Sequence, residues 1–105
     1  MSKVINCVNE RIKELNDIVI EKKAALKNAP EGTLKICKTE KRTQFYLKTQ
    51  ELDEAGKRKD QCKFIKNSEK KLVQSLCQKD YDRRVLQSAQ NELKQLKKLR
   101  RIILL

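Results

Sequence analysis

The amino-acid sequence predicts an α+β fold: a long N-terminal helix, a three-stranded antiparallel β-meander and a long C-terminal helix. The helices are expected to pair partly as a coiled-coil-like hairpin. Three observations predict this. Apolar residues in the first stretch recur at spacings of three and four. Between Gly32 and Lys66 the period drops to two in three short runs. From Asn67 onward the helical period returns and continues toward the end. The expected boundaries are residues 1–29, 30–67 and 68–105, all within one small domain.

The first helix is read from Ile5, Val8, Ile12, Leu15, Val19 and Leu26, a heptad-like stripe in which Lys22 takes one seam position. Ala29-Pro30-Glu31-Gly32 stops it, because the residue before proline is pushed out of the helical region and Gly32 supplies turn freedom. Thr33–Lys38 alternates, with Leu34 and Ile36 on one face. Glu40-Lys41-Arg42 is a polar turn. Thr43–Thr49 alternates again, with Phe45 and Leu47 inward and Tyr46 outward. Gln50–Asp60 is polar, contains Gly56 and reads as a loop. Gln61–Lys66 is a third short strand with Cys62 and Phe64 inward. That leaves Lys35, Cys37, Gln44, Tyr46, Lys48, Lys63 and Ile65 on the open face. Asn67 or Ser68 caps the second helix. Its broad face of Leu72, Val73, Leu76, Cys77, Tyr81 and Val85 suits packing on a sheet. The narrower stripe Leu86, Ala89, Leu93 and Leu96 suits pairing with the first helix.

With 105 residues, two Phe, two Tyr and no Trp, any core is thin and aliphatic. The net charge of +12 favours polyanions: nucleic acid first, an anionic membrane surface or acidic protein second. The plain alternative is a solvated lysine surface. Cys7, Cys37, Cys62 and Cys77 form no close pair and there is no histidine, so no metal site or other cofactor is expected. The thiols read as reduced, small apolar fillers in a cytoplasmic protein. The start MSKVINCVNERIKEL lacks the pattern of a signal peptide, and no run is long enough to span a bilayer. Leu105 follows Ile102, Ile103 and Leu104, an abrupt apolar end that suggests a truncated reading frame or a region that normally continues into another domain.

The stretch Asp80-Tyr81-Asp82 reads as a salt-bridged helix turn. Asp80 lies three and four residues before Arg83 and Arg84, and Tyr81 is expected to pack on the sheet. No other carboxylate cluster, phosphate loop or nucleophile set accompanies it, so catalysis by this chain is not expected. The candidate nucleic-acid contacts are Lys38, Arg42, Tyr46, Lys48, Lys57, Arg58, Lys59 and Lys63. A three-stranded sheet with a basic open face fits the major groove of DNA, with turn lysines on phosphates and Tyr46 placed to stack on a base or sugar. The competing expectation is a helical module for self-association or a partner protein, based on the two stripes and the apolar end.

The ordered motifs PEGTLKI (residues 30–36), Gln44-Phe45-Tyr46, Lys63-Phe64-Ile65-Lys66 and LCQKDYD (residues 76–82) resemble the N-terminal region of a group of uncharacterised proteins from clostridia-like bacteria and their phages. The resemblance covers about residues 10–98. In that group a restriction-endonuclease-like domain follows, so the resemblance implies an accessory region preceding a nuclease. The nuclease-like part has no counterpart here, and no catalytic residue carries over. Cys77 stands where the group has alanine and Phe64 where it has tyrosine. The topology is also similar to the arm-type DNA-binding domains of phage integrases, an analogy of architecture.

Overall fold

A computed structural model describes residues 2–105. Helix α1 runs Ser2–Lys27, strand β1 Thr33–Lys38, β2 Thr43–Leu52 and β3 Arg58–Ile65. A single 3-10 turn, Asn67–Glu69, leads into helix α2, Lys70–Ile103. The α+β order is the one the two periodicities predict. Two compact units emerge from this order. One joins α1 to Asp82–Leu105, and the other is Ala29–Tyr81.

The first unit is an antiparallel helical hairpin. Val8, Ile12 and Leu15 of α1 are buried with Ala89 and Leu93 of α2, and Ile18, Val19 and Leu96 pack against them. Complete burial of a side chain such as Leu15 contributes about 1.5–3 kcal/mol. Lys22, the polar interruption of the α1 stripe, faces Asp82, with Nζ 3.0 Å from Oδ1. Asp82 is 5% exposed. Asp82, Leu86, Ala89, Leu93 and Leu96 follow spacings of four and three, so the α2 stripe begins one position earlier than its apolar residues show.

Nearer the other end, Arg11 donates to both Glu92 oxygens, Nε to Oε1 at 2.8 Å and Nη2 to Oε2 at 3.2 Å. It also donates to Glu14 at 3.0 Å. Arg100 donates to the Asn9 side-chain oxygen at 3.3 Å. The Arg11 hydrogen bond, reinforced by its charge, holds the Glu92 carboxyl below the usual carboxylate range. A carboxyl lowered in the folded state contributes stability above its unfolded value of about 4.3, and loses it as pH falls through the folded value. The expected result is a small difference in Tm between the wild type and Glu92→Gln near neutral pH that closes on acidification. A difference that persists at low pH would remove this pair from the account.

The second unit holds a sheet in the order β1-β2-β3, both pairings antiparallel. Its buried apolar residues are Ile65, 3% exposed, and Leu76, 2% exposed. Phe45 of β2 and Val73 of α2 line one shallow depression with Lys66, Asn67, Lys70 and Gln74. This shows the Phe45 face turned toward the start of the helix. Leu34 and Leu47 share that face and are half-buried, while Ile36, at the far end of β1, is half exposed.

The segment before β1 is tied to the same helix. Lys79 Nζ donates to the carbonyls of Pro30 at 2.9 Å and Gly32 at 2.7 Å. Two of the ordered motifs, Pro30-Glu31-Gly32 and Gln78-Lys79-Asp80, therefore meet in space. Gly32 has φ +93°, and a Cβ there would lie 2.7 Å from Leu47 Cδ1 and 2.9 Å from the Lys48 carbonyl oxygen.

Several local expectations are corrected. Gln50–Asp60 is not a loop: β2 and β3 stay paired out to Leu52 and Arg58, and only Asp53–Lys57 turns. Tyr81 is 60% exposed, and it is its neighbour Asp82 that turns inward. Cys77, Cys7 and Cys62 are exposed free thiols and Cys37 is half-buried, so none fills a core. Neither Asn67 nor Ser68 is the N-cap of the 3-10 turn; that position is Lys66, which makes no side-chain cap hydrogen bond. The 3-10 turn starts from Lys66, whose carbonyl accepts from Glu69 N at 2.9 Å.

Candidate nucleic-acid interface

Register decides which side chains share the open face. Lys35 stands opposite Tyr46, and Tyr46 opposite Phe64. A cation and two aromatic rings thus form one row across three strands. The next row is Thr33, Lys48 and Cys62, with Cys37 and Gln44 on the other side of the aromatic row. Farther along the hairpin the same face carries Gln50 with Asp60 and Leu52 with Arg58. Side chains alternate strictly along a strand, so Lys63, Ile65, Gln61 and Lys59 point to the opposite face.

This corrects the phase of β3. Lys63 and Ile65 belong with Leu47 and Phe45, whereas Cys62 and Phe64 belong with Lys48 and Tyr46. Phe64, expected in the core, is half exposed. Its ring meets that of Tyr46 edge-on, with centroids 5.6 Å apart and planes 69° apart. The Tyr46 hydroxyl donates to Gln44 Oε1 at 3.1 Å, which fixes the ring at its polar end. Phe64 and Cys62 are the residues of this surface that the sequence reading places inward. The available signal was Ile65, whose β-branched side chain pairs with Phe45 only if Phe64 faces outward.

Of the predicted basic contacts, Lys63 lies on the other face, paired with Leu47, and is not part of this surface; the other six divide into three places. Lys48, on the aromatic face, lies 3.7 Å from Asp60, both side chains being well exposed. Such a pair is worth about 0–1 kcal/mol, so a phosphate competes for the ammonium readily. Lys38 and Arg42 flank the β1–β2 turn, which Thr39 closes by donating its hydroxyl to the Arg42 carbonyl at 2.9 Å and accepting from Arg42 N at 3.2 Å. Lys57, Arg58 and Lys59 sit at the β2–β3 turn. There Asp53 Oδ1 accepts from Ala55 N at 3.0 Å and Lys57 N at 2.8 Å, and Gly56 adopts φ +78°.

This second turn is electrostatically balanced. Glu51 is the register partner of Lys59, and Asp53, Glu54 and Asp60 lie within the same hairpin end. Lys57, Arg58 and Lys59 therefore produce a weaker field than their adjacency in sequence implies. Lys35 shows the reverse. It was not among the candidate contacts, yet it stands beside Tyr46 in the central row. Among the described residues no group of His, Cys, Asp and Glu is arranged to hold a metal ion. No helix among them is long and apolar enough to cross a membrane.

None of the protein-family models, curated proteins or solved structures compared with this chain matches it.

Proposed function

We propose that the chain is a basic accessory domain that binds nucleic acid through the open face of its sheet. The observation that carries this reading is the row Lys35–Tyr46–Phe64, with Lys48 and Arg58 on the same face. Cations supply sequence-independent attraction to phosphates, and exposed rings supply surfaces for bases or sugars. The net charge of +12 acts in the same direction at longer range. Lys38 and Arg42 extend the basic surface from the neighbouring turn. In this reading the domain positions nucleic acid, and phosphodiester chemistry belongs to a nuclease-like domain of the kind the motif resemblance implies.

The competing role, a helical module for self-association, keeps one of its two supports, the apolar end. Val8, Ile12, Leu15, Ala89 and Leu93 are buried against one another within the hairpin, so the two stripes already satisfy each other. What remains for a partner is Val4, Ile20 and the exposed apolar end carrying Leu99, Ile102, Leu104 and Leu105.

The test is a salt series. Labelled duplex and matched single-stranded DNA are titrated with the chain while anisotropy is read from low to moderate salt. Binding at micromolar concentration or tighter is expected, with log K falling linearly against log salt. No binding to either form at low salt would overturn the nucleic-acid role and leave protein association in its place.

A further inference from the structure

We propose that the Tyr46–Phe64 pair is a stacking site for one unpaired base, so that the sheet selects single-stranded nucleic acid over duplex. This rests on the nucleic-acid reading above and names its substrate class.

A hydrophobic ring on the open face of a sheet has an unfavourable exposure to water unless something covers it. Phe64 is 50% exposed although Ile65, beside it, is 3% exposed. The ring is not loose. The edge-on contact with Tyr46, itself tied to Gln44, supports it from one side. Ring planes 69° apart cannot form one flat platform for two neighbouring bases. They form a corner: a base lies flat on one ring while the other closes its edge.

The cations are placed for the rest of that nucleotide. Successive strands are about 4.8 Å apart, so Lys35 and Phe64 lie about 10 Å apart across the row. That distance is comparable to the span from a base to its own phosphate. Lys48 stands one row away on the central strand. Asp60 repels phosphate on the hairpin side, which directs the backbone toward β1 and Lys35.

A duplex cannot use this corner. Its base faces are stacked on one another, and reaching one requires unstacking and unpairing at a cost of a few kcal/mol. A single strand presents base faces directly, and stacking on an aromatic side chain is sequence-tolerant because every base has a π-face.

The experiment uses the full chain with a short labelled single strand of mixed sequence and its duplex, at one salt concentration where both bind measurably. Three variants are compared: Phe64→Leu, which keeps apolar volume but removes the π-face; Phe64→Tyr, which keeps it; and Lys35→Ala. Circular dichroism melts establish that each is folded. The expected result is a preference for the single strand of about tenfold or more, lost in Phe64→Leu and retained in Phe64→Tyr. Lys35→Ala weakens both forms. Equal or tighter binding of the duplex, or a Phe64→Leu variant that still prefers the single strand, would overturn the stacking site while leaving the nucleic-acid role intact. Absence of binding to both forms would overturn the two together.

Discussion

Replacing Gly32 with alanine is expected to destabilise the chain by about 2–4 kcal/mol, read as a lower urea midpoint at unchanged m-value. Two costs combine at this position. The backbone at φ +93° is one that L side chains rarely adopt. The new methyl group would also stand 2.9 Å from the Lys48 carbonyl oxygen and 3.1 Å from Thr49 Cγ2. The Leu47 side chain, 2.7 Å away, can rotate, but the Lys48 carbonyl is fixed by its strand. Any retreat of Gly32 also pulls its own carbonyl from Lys79. Lys79→Met should therefore cost less in the Gly32→Ala background than in the wild type, a coupling that a double-mutant cycle reads directly. A midpoint that does not move in Gly32→Ala would mean that this segment is not held against β2.

The second large effect is expected at Asp82. Asp82→Ala leaves the Lys22 ammonium on the hairpin seam, with its side chain 17% exposed, after removal of the carboxylate 3.0 Å away. Breaking one half of a buried ion pair costs about 3 kcal/mol or more. Replacing both partners with leucine is expected to restore or exceed wild-type stability, since the same seam then packs apolar side chains. The pair earns its place through alignment: sliding one helix along the other would set Lys22 against an apolar neighbour. The double leucine variant should consequently show mixed association states by light scattering where the wild type shows one. If Asp82→Ala and the double variant have equal stability, the pair has no such role.

Much of the fold is legible because two periods are unmistakable. The α1 stripe and the stripe beginning at Leu86 could face only each other or a partner, and burial of Leu15 and Leu93 places them together. The errors fall where pattern and burial separate. In Lys63-Phe64-Ile65-Lys66 two apolar residues are adjacent, so either phase satisfies alternation. Only the register, Phe45 with Ile65, decides between them. The extension of β2 and β3 through Gln50–Leu52 and Arg58–Asp60 leaves no hydrophobic trace, because both faces of that ribbon are exposed.

Tyr81 and Asp82 fail for a different reason. An aromatic residue carries a strong expectation of burial and an aspartate a strong expectation of exposure, yet the helix is phased by Leu76 on one side and Ala89 on the other. Lys22 was visible as an interruption of its stripe. Its complement was visible too, four residues before Leu86, but only once a polar residue is allowed on a seam. At the candidate interface, Tyr46 and Lys48 were placed by alternation alone. Alternation places Lys35 on the same face, but its position beside Tyr46, and the outward phase of Phe64, come from the cross-strand pairing, which no single-strand pattern contains.

The sheet has only three strands, with β1 and β3 on the outside. Each outer strand presents unsatisfied backbone donors and acceptors along one side, which is a template for adding a strand from another molecule. Lys35 and Lys38 stud one border, and Arg58, Lys59 and Lys63 the other. Like charges at such borders repel a second copy approaching in the same register. Lysines at these borders disfavour edge-to-edge pairing of two copies, independently of any role in binding. Stripping them in bulk would remove that protection, and a loss of binding could then reflect loss of dispersed protein. Single replacements, each monitored for turbidity, keep colloidal behaviour and recognition apart.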